Sequence, residues 1–203
     1  MRQDYEIFFD NIAAGSKVLD VGCGRGEFLE LIKRQKQCRA YGIELDSLKV
    51  SECLNKGLSV IQGDAGEELK FFPEKNNAPD IFDYVILANT LQVMQSPKEI
   101  LTDASKIGSK ILISSPNFGY YKNRLYLAFK GKMPVTSQLS YQWYETPNIH
   151  FSTITDLLEL ARKVGLKIED AYYIDNKDKV KEFNISSPQI PNLLGRSSIF
   201  VLS

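Results

Sequence analysis

An α/β fold, with one mostly parallel seven-stranded sheet, a reversed edge strand and helices on both faces, is what this 203-residue sequence predicts. Three observations predict it. Short apolar runs alternate five times with stretches whose apolar side chains recur at helical spacing, the pattern of repeated βαβ units. The glycine-rich turn Asp20-Val-Gly-Cys-Gly-Arg-Gly26 joins the first run to the first such helix. The last two runs follow one another with no helix between them, so the final strand must return antiparallel. Together these describe a single domain over residues 1–203 with one insertion at about 117–151.

Each element has its own justification. Residues 1–16 read as a leading helix in which Ile7, Phe8 and Ile12 are apolar and Gly15 is the stop. Lys17 to Val21 is a buried strand, and Glu27 to Ile32, behind the glycines, opens a helix. Glycines at such a turn let the backbone approach a ligand, and the helix N-terminus offers unpaired N–H donors. Arg39 to Glu44 is the second strand, ending in an acid 24 residues after Asp20. A carboxylate there can take two ribose hydroxyls, two acceptor oxygens for two donors. The plainer alternative is a surface acid opening a helix. Asp46 or Ser47 caps that helix, with Val50, Cys53 and Leu54 inward and Gly57 closing it.

Leu58 to Gln62 is the third strand, followed by Gly63-Asp64, a short helix ending near Phe72-Pro73, and a polar loop from Glu74 to Asp80. Phe82 to Ala88 is continuous and apolar, as a central parallel strand should be. Asn89-Thr-Leu-Gln92 lies at its carboxyl end, where open α/β sheets place ligands. Ser96-Pro-Lys-Glu99 combines a capping box with proline at the first helical position, and Ile100, Leu101, Ala104 and Ile107 form the buried stripe behind it. Lys110 to Ser114 is the fifth strand. Thr153 to Gly165 is a helix with Leu157, Leu160, Ala161 and Val164 inward, and Lys167 to Ile174 and Ser198 to Leu202 are the closing strands. The mixed-charge run Asp175 to Glu182 reads as a solvated connection.

Composition narrows the function classes. Lys and Arg balance Asp and Glu at 25 each, so no global charge draws the chain to nucleic acid or to an anionic membrane. No apolar run reaches the roughly 18 residues of a spanning helix, and the first residues lack a signal-peptide core. Cys23, Cys38 and Cys53 are odd in number and form no C-x-x-C, which suits a reducing cytoplasm without a structural disulfide or metal site.

The glycine spacing then says which ligand. A dinucleotide fingerprint G-x-G-x-x-G would put its third glycine at position 27, where Glu27 stands. The spacing here is G-x-G-x-G with an acid two residues ahead of it, which resembles motif I of the class I methyltransferases and their Rossmann-like fold. That resemblance implies S-adenosylmethionine and S-adenosylhomocysteine as ligands. It places Gly22, Cys23, Gly24 and Gly26 around the methionine moiety, with Asp20 orienting its ammonium group directly or through water. It also assigns Glu44 with Leu45, Asp64 with Ala65, and Asn89 with Leu91 to the cofactor, Glu44 at the ribose and Asp64 at the adenine amino group. Cys23 neighbours a helix N-terminus, which lowers thiol pKa in principle, but within this loop packing is its expected role.

The insertion from Asn117 to Phe151 carries nine aromatic residues, and its cations Lys122, Arg124, Lys130 and Lys132 face Glu145 alone. A loop this long in a compact domain is usually functional. A cap helix at Tyr121 to Phe129 with aromatic packing accounts for part of it. The other part is a lid for an anionic small molecule or a partner surface, for which Asn117, Tyr120, Arg124, Tyr141, Trp143 and Tyr144 are the candidates. Ser115-Pro-Asn-Phe-Gly119, Arg124-Leu125, Gly131-Lys-Met-Pro-Val-Thr136, Tyr141-Gln-Trp-Tyr-Glu-Thr-Pro-Asn-Ile-His150 and Ile190-Pro-Asn-Leu-Leu194 resemble the MetW family from Lys17 to Ser203. Tyr120-Tyr121 departs from the His-Trp expected there, and extra residues occupy the loop around Asn76 to Pro79. The resemblance implies a role in methionine biosynthesis and association with MetX, a homoserine O-acyltransferase.

Methyl transfer from a sulfonium needs alignment more than covalent help, and a base only for an acceptor of high pKa. His150, the single histidine, is the candidate base, against the alternative of a hydrogen-bonded structural residue. Tyr141, Tyr144 and Glu145 are candidates for lining an acceptor pocket. Two functions of different class follow. One is a binding module that supports the acyltransferase, and the other is an active methyltransferase on a small anionic acceptor.

Overall fold

A computed structural model of the chain describes residues 2–74, 81–136 and 139–203. Its first strand, β1 (Lys17–Val21), enters the sheet directly from helix α1 (Gln3–Asn11) and leaves through the glycine turn into α2 (Glu27–Lys36). Then follow β2 (Arg39–Glu44), α3 (Ser47–Asn55), β3 (Ser59–Gln62), α4 (Ala65–Glu68), β4 (Phe82–Ala88), α5 (Pro97–Ile107), β5 (Gly108–Pro116), α6 (Tyr121–Lys130) and α7 (Ile154–Lys163). The chain closes with β6 (Ile168–Ile174), β7 (Val180–Glu182), α8 (Gln189–Leu194) and β8 (Ser197–Leu202).

Among the described residues the sheet has eight strands in the order β3-β2-β1-β4-β5-β8-β6-β7. β1 pairs parallel with both β2 and β4, and β4 with β5. The reversed strand β8 lies antiparallel between β5 and β6, and β7, antiparallel to β6, forms the reversed edge. The order reverses at β1 and β4, so a crevice opens at their carboxyl ends.

Period-two alternation divides the core. In β4 and β5, Val85, Leu87, Ile111 and Ile113 face α5 and α7, joined there by Ile100, Leu101, Ala104, Ile154 and Leu158. Their neighbours Ile86 and Leu112 face the other way, onto Phe8, Ile12, Phe28, Leu29 and Ile32 of the α1 and α2 layer. Both faces of the central strands are therefore dry, which is why they read as unbroken apolar runs.

Several expectations are corrected. The additional strand, β7, occupies part of the stretch read as a solvated connection. There the Asp175 carboxylate accepts the N–H groups of Lys177 at 2.8 Å and Lys179 at 3.1 Å, a turn that folds Val180–Glu182 back onto β6. Leu54 is exposed rather than inward, because α3 covers only the narrow outer edge of the sheet with Val50 and Cys53. Ser96 makes no side-chain cap on α5, which starts on Pro97 alone, whereas Thr153 and Asp156 form a full capping box on α7. Asp46 is the cap of α3, accepting from Leu48 and Lys49. Residues 75–80 of the expected polar loop lie outside the described residues.

Candidate functional site

The glycine turn is fastened to the second strand from both sides. Backbone N–H groups of Gly22 and Cys23 donate to the Ile43 carbonyl at 2.8 and 3.1 Å, and Gly24 N–H donates to Glu44 Oε2 at 2.8 Å. The other carboxylate oxygen of Glu44 accepts Asp46 N–H at 3.0 Å, and Lys49 Nζ stands 4.0 Å away. Gly26, at φ +72°, closes the turn and becomes the N-cap of α2. A Cβ there would meet Leu58 Cδ1 at 2.4 Å and Cys53 Sγ at 2.9 Å, so close packing as well as backbone conformation demands glycine.

Above this turn lies a cleft of ≈ 670 Å³ at the carboxyl ends of β1, β2, β3 and β4. Gly22, Gly24, Glu44 and Leu45 form one wall, Asp64 and Ala65 a second, and Asn89, Met94 and Ile149 a third. Asp64 caps α4 by accepting Gly66 N–H at 2.7 Å. A volume of this order suits a cofactor-sized molecule.

Asp20 sits below the turn, 1% exposed, and its Oδ1 has no hydrogen-bond partner among the described residues. Burial pushes its carboxyl up to about 7; the Arg2 guanidinium opposes that rise, and the Asp4 and Glu44 carboxylates add to it. Burial also pushes the Cys23 thiol up, the opposite of an activated nucleophile.

Asn89 adopts φ +55° at the end of β4, a left-handed conformation that asparagine tolerates better than most side chains. Its N–H donates to the Ser114 carbonyl and hydroxyl at 2.9 and 3.1 Å, and its Nδ2 to Asp4 at 3.3 Å. Asp4 also accepts from Ser114 Oγ at 2.7 Å and from Arg2 at 2.6 Å, which ties α1 to the strand ends. Asn89 also lines a second chamber of ≈ 430 Å³, bounded by Arg2, Asp4, Gln92, Ser114, Tyr141 and Arg196.

Not every predicted residue faces a cavity. The cleft wall includes Gly22, Gly24, Glu44, Leu45, Asp64, Ala65 and Asn89, while Cys23 and Leu91 are packed in the core. In the insertion, Asn117 is buried: its Nδ2 donates to the carbonyls of Asn192 and Gly195 at 2.8 and 2.7 Å, and its Oδ1 accepts from Gly119 and Ile154. It is a junction of β5, α7 and α8. Tyr120 is buried against Tyr121, with ring centroids 4.8 Å apart, and Arg124 Nε donates to the Gly119 carbonyl. Tyr141, Trp143 and Tyr144 are exposed, the last two in edge contact. The His150 ring lies 3.3 Å from the Gln95 carbonyl, and its backbone N–H donates to the Gln92 carbonyl, so the end of the insertion is laced to the loop after β4. Sequence reasoning missed Arg2, Asp4 and Arg196, because Arg2-Gln3-Asp4 looks like any helix start and Arg196 stands in no motif, while Gln92 was placed in the ligand-end stretch Asn89 to Gln92 without a role of its own.

Comparison with known proteins gives the family and the fold. The family profile described as methionine biosynthesis protein MetW matches residues 2–202. A bifunctional methionine biosynthesis protein MetXA/MetW of Rhodopirellula baltica is 32% identical over 181 residues, which cover 85% of this chain. The chain spans 28% of that relative's length. Among solved structures, a SAM dependent methyltransferase from Archaeoglobus fulgidus superposes with TM-score 0.69 at 20% identity, covering 99% of this chain and 91% of that one. The plantazolicin methyltransferase BamL, solved in complex with SAH, gives TM-score 0.64 at 14% identity over 99% and 80%. At these identities the two structures establish the fold, the Rossmann-like fold of class I methyltransferases.

Proposed function

The chain belongs to the MetW family of methionine biosynthesis proteins, and from that premise we propose that it binds S-adenosylmethionine and S-adenosylhomocysteine and supports a homoserine O-acyltransferase of the MetX type. The ligand half of this reading is carried by one observation, the buried Asp20 Oδ1 without a partner beneath a glycine turn that borders an open cleft. An orphaned buried acceptor is costly, and an ammonium group reaching it directly or through one water removes the cost. Glu44 is fixed by two backbone donors, leaving its remaining lone pairs for a diol, and Asp64 with Ala65, on the second wall of the cleft, is the pair we assign to the adenine. The partner half rests on the Rhodopirellula relative, whose name joins MetXA and MetW in one chain. Covalent linkage raises effective concentration, and a separate chain reaches the same end by docking. The exposed Tyr141, Trp143 and Tyr144 are the surface we assign to that contact, and the cytoplasm is the compartment that three free buried cysteines suit. Among the described residues no helix is long and apolar enough to cross a membrane.

Thermal shift and calorimetry with both ligands test the first half. At about 100 times the dissociation constant, ligand adds roughly 2.7 kcal/mol, a shift on the order of 5–10 °C for a domain of this size. Co-elution with the acyltransferase and a rise in its rate on mixing test the second. The absence of any ligand-induced shift would reject the cofactor assignment.

A second reading, methyl transfer to a small anionic acceptor, is favoured by the chamber that shares Asn89 with the cleft. The bound cofactor would supply an electrophilic methyl group, and the chain's own work would be to align an acceptor against it. His150, whose ring lies against the Gln95 carbonyl and lines neither of the two cavities, is the base we assign only for a hydroxyl acceptor, whose pKa is high enough to need one. His150→Ala should then lower turnover without changing cofactor affinity.

A further inference from the structure

The chamber beyond Asn89 has unmet hydrogen-bonding demands. Asp4, on its wall, is fully engaged by Arg2, Ser114 and Asn89. Gln92 is not. It is 7% exposed, and its Nε2 donates to the Asn89 carbonyl at 2.7 Å, which leaves Oε1 as an acceptor with no partner among the described residues. Arg196 Nε is likewise buried and without a partner among the described residues, while its Nη2 pairs with the exposed Asp178. One wall therefore holds a cationic donor in want of an acceptor, and another holds an acceptor in want of a donor. Pro116 and Ile174 supply apolar surface near them.

We propose that this chamber binds a small carboxylate with an adjacent N–H or O–H donor, the chemistry of an α-amino or α-hydroxy acid. The carboxylate accepts from Arg196 Nε, the guanidinium donor that the pair with Asp178 leaves unmet, and the ligand's own donor lies on Gln92 Oε1. Both buried groups are then satisfied at once, which neither water-excluding apolar ligands nor simple amines achieve. Asn89 belongs to both cavities, so the bound acid sits beside the cofactor cleft rather than in it. The proposal rests on the cofactor reading and deepens the second one, by naming the class of molecule held next to the transferable group. The methionine end of the cofactor has the same chemistry, and the test separates these two sources.

Protein saturated with S-adenosylhomocysteine is titrated calorimetrically with L-α-amino acids and L-α-hydroxy acids of small size, alongside matched amines and unsubstituted carboxylates. At least one acid should bind the saturated protein, with controls lacking either group at least tenfold weaker. Arg196→Lys and Gln92→Leu should each weaken that acid tenfold or more with S-adenosylhomocysteine affinity unchanged; if one variant does not fold, the other is read alone. No acid binding to the saturated protein overturns the proposal. So does a loss of S-adenosylhomocysteine affinity in the variants, which would give the chamber to the cofactor's own methionine end. Failure of the wild-type protein to bind S-adenosylhomocysteine at all rejects the cofactor reading first, and this proposal with it.

Discussion

Glu44 Oε2 accepts the Gly24 N–H at 2.8 Å, so the last residue of β2 holds the middle of the glycine turn in place. The same carboxylate organises the loop behind it through Asp46 N–H. Hydrogen bonds to a charged group contribute about 1.5–3 kcal/mol each. Glu44→Ala should therefore weaken S-adenosylhomocysteine by roughly 10² or more, because ligand acceptor and loop anchor vanish together. Glu44→Gln, with one acceptor oxygen left, should fall between, at about tenfold. Calorimetric affinities for the two variants decide it; wild-type affinity in Glu44→Ala would remove Glu44 from the site.

Two glycines of the turn should respond differently to alanine. At Gly26 the new Cβ would meet Leu58 and Cys53 at 2.4 and 2.9 Å in addition to the left-handed backbone, so these two buried side chains must shift. A loss of about 2–4 kcal/mol is expected, overpacking and backbone strain combined. At Gly24, φ is +57° but nothing lies within 4 Å, so only the backbone term of about 1–2 kcal/mol applies. Urea denaturation of both variants gives the comparison, and equal losses would contradict it.

Asp20 predicts a pH dependence with a definite sign. Its native carboxyl titrates near 7, above the ordinary 3.8, mainly through burial. Between those values the native state holds a proton that the unfolded chain has lost, so the free protein loses stability as pH rises through that window. A ligand ammonium favours the ionised carboxylate, so binding should expel the proton. Affinity should fall by up to about tenfold per pH unit below about 7 and flatten above it. Calorimetry in buffers of different ionisation enthalpy measures the released proton. Asp20→Asn should abolish both the release and the slope, and a slope that survives the substitution assigns it to another group.

These sites were unequally legible. The turn and its acid could be read because each residue there answers a local demand, such as Gly26 against Leu58 or Glu44 at a strand end. Strand bounds at β1 and β4 were legible for the same reason, an apolar run between polar breakers. The α5 cap was misread since Ser96 has the right chemistry but no side-chain bond, and β7 was hidden because its pairing depends on the turn held by Asp175. Asp4 and Arg196 could not be found at all. Asp4 meets Ser114 across 110 residues, and such contacts leave no periodic trace.

Asn117 was expected in a lid, and its burial assigns it a different test. Its side chain satisfies two carbonyls, of Asn192 in α8 and of Gly195 just past it, and two N–H groups, of Gly119 in its own loop and of Ile154 in α7. Asn117→Ala leaves buried partners unpaired, at a cost of about 1–3 kcal/mol for such a group. A drop of roughly 2–4 kcal/mol in unfolding free energy is expected, with ligand affinity changed less than twofold at temperatures where the variant is folded. A variant as stable as the parent would mean that α7 and α8 are held by packing alone.

Trp143 and Tyr144 invite the reverse experiment. They are 69% and 66% exposed and touch each other edge to face, so little native packing depends on them. Exposed substitutions of this kind change stability by about 0.5 kcal/mol or less. If the aromatic rim is the docking surface, however, these are the residue types that dominate interface energies, where truncation costs about 2–4 kcal/mol. Trp143→Ala and Tyr144→Ala should therefore leave melting temperature and S-adenosylhomocysteine affinity close to the parent. Their affinity for a homoserine O-acyltransferase, read by surface plasmon resonance or co-elution, should fall about 30-fold or more. Unchanged association in the double variant would move the contact to another face, and lost ligand affinity would return these rings to the lid.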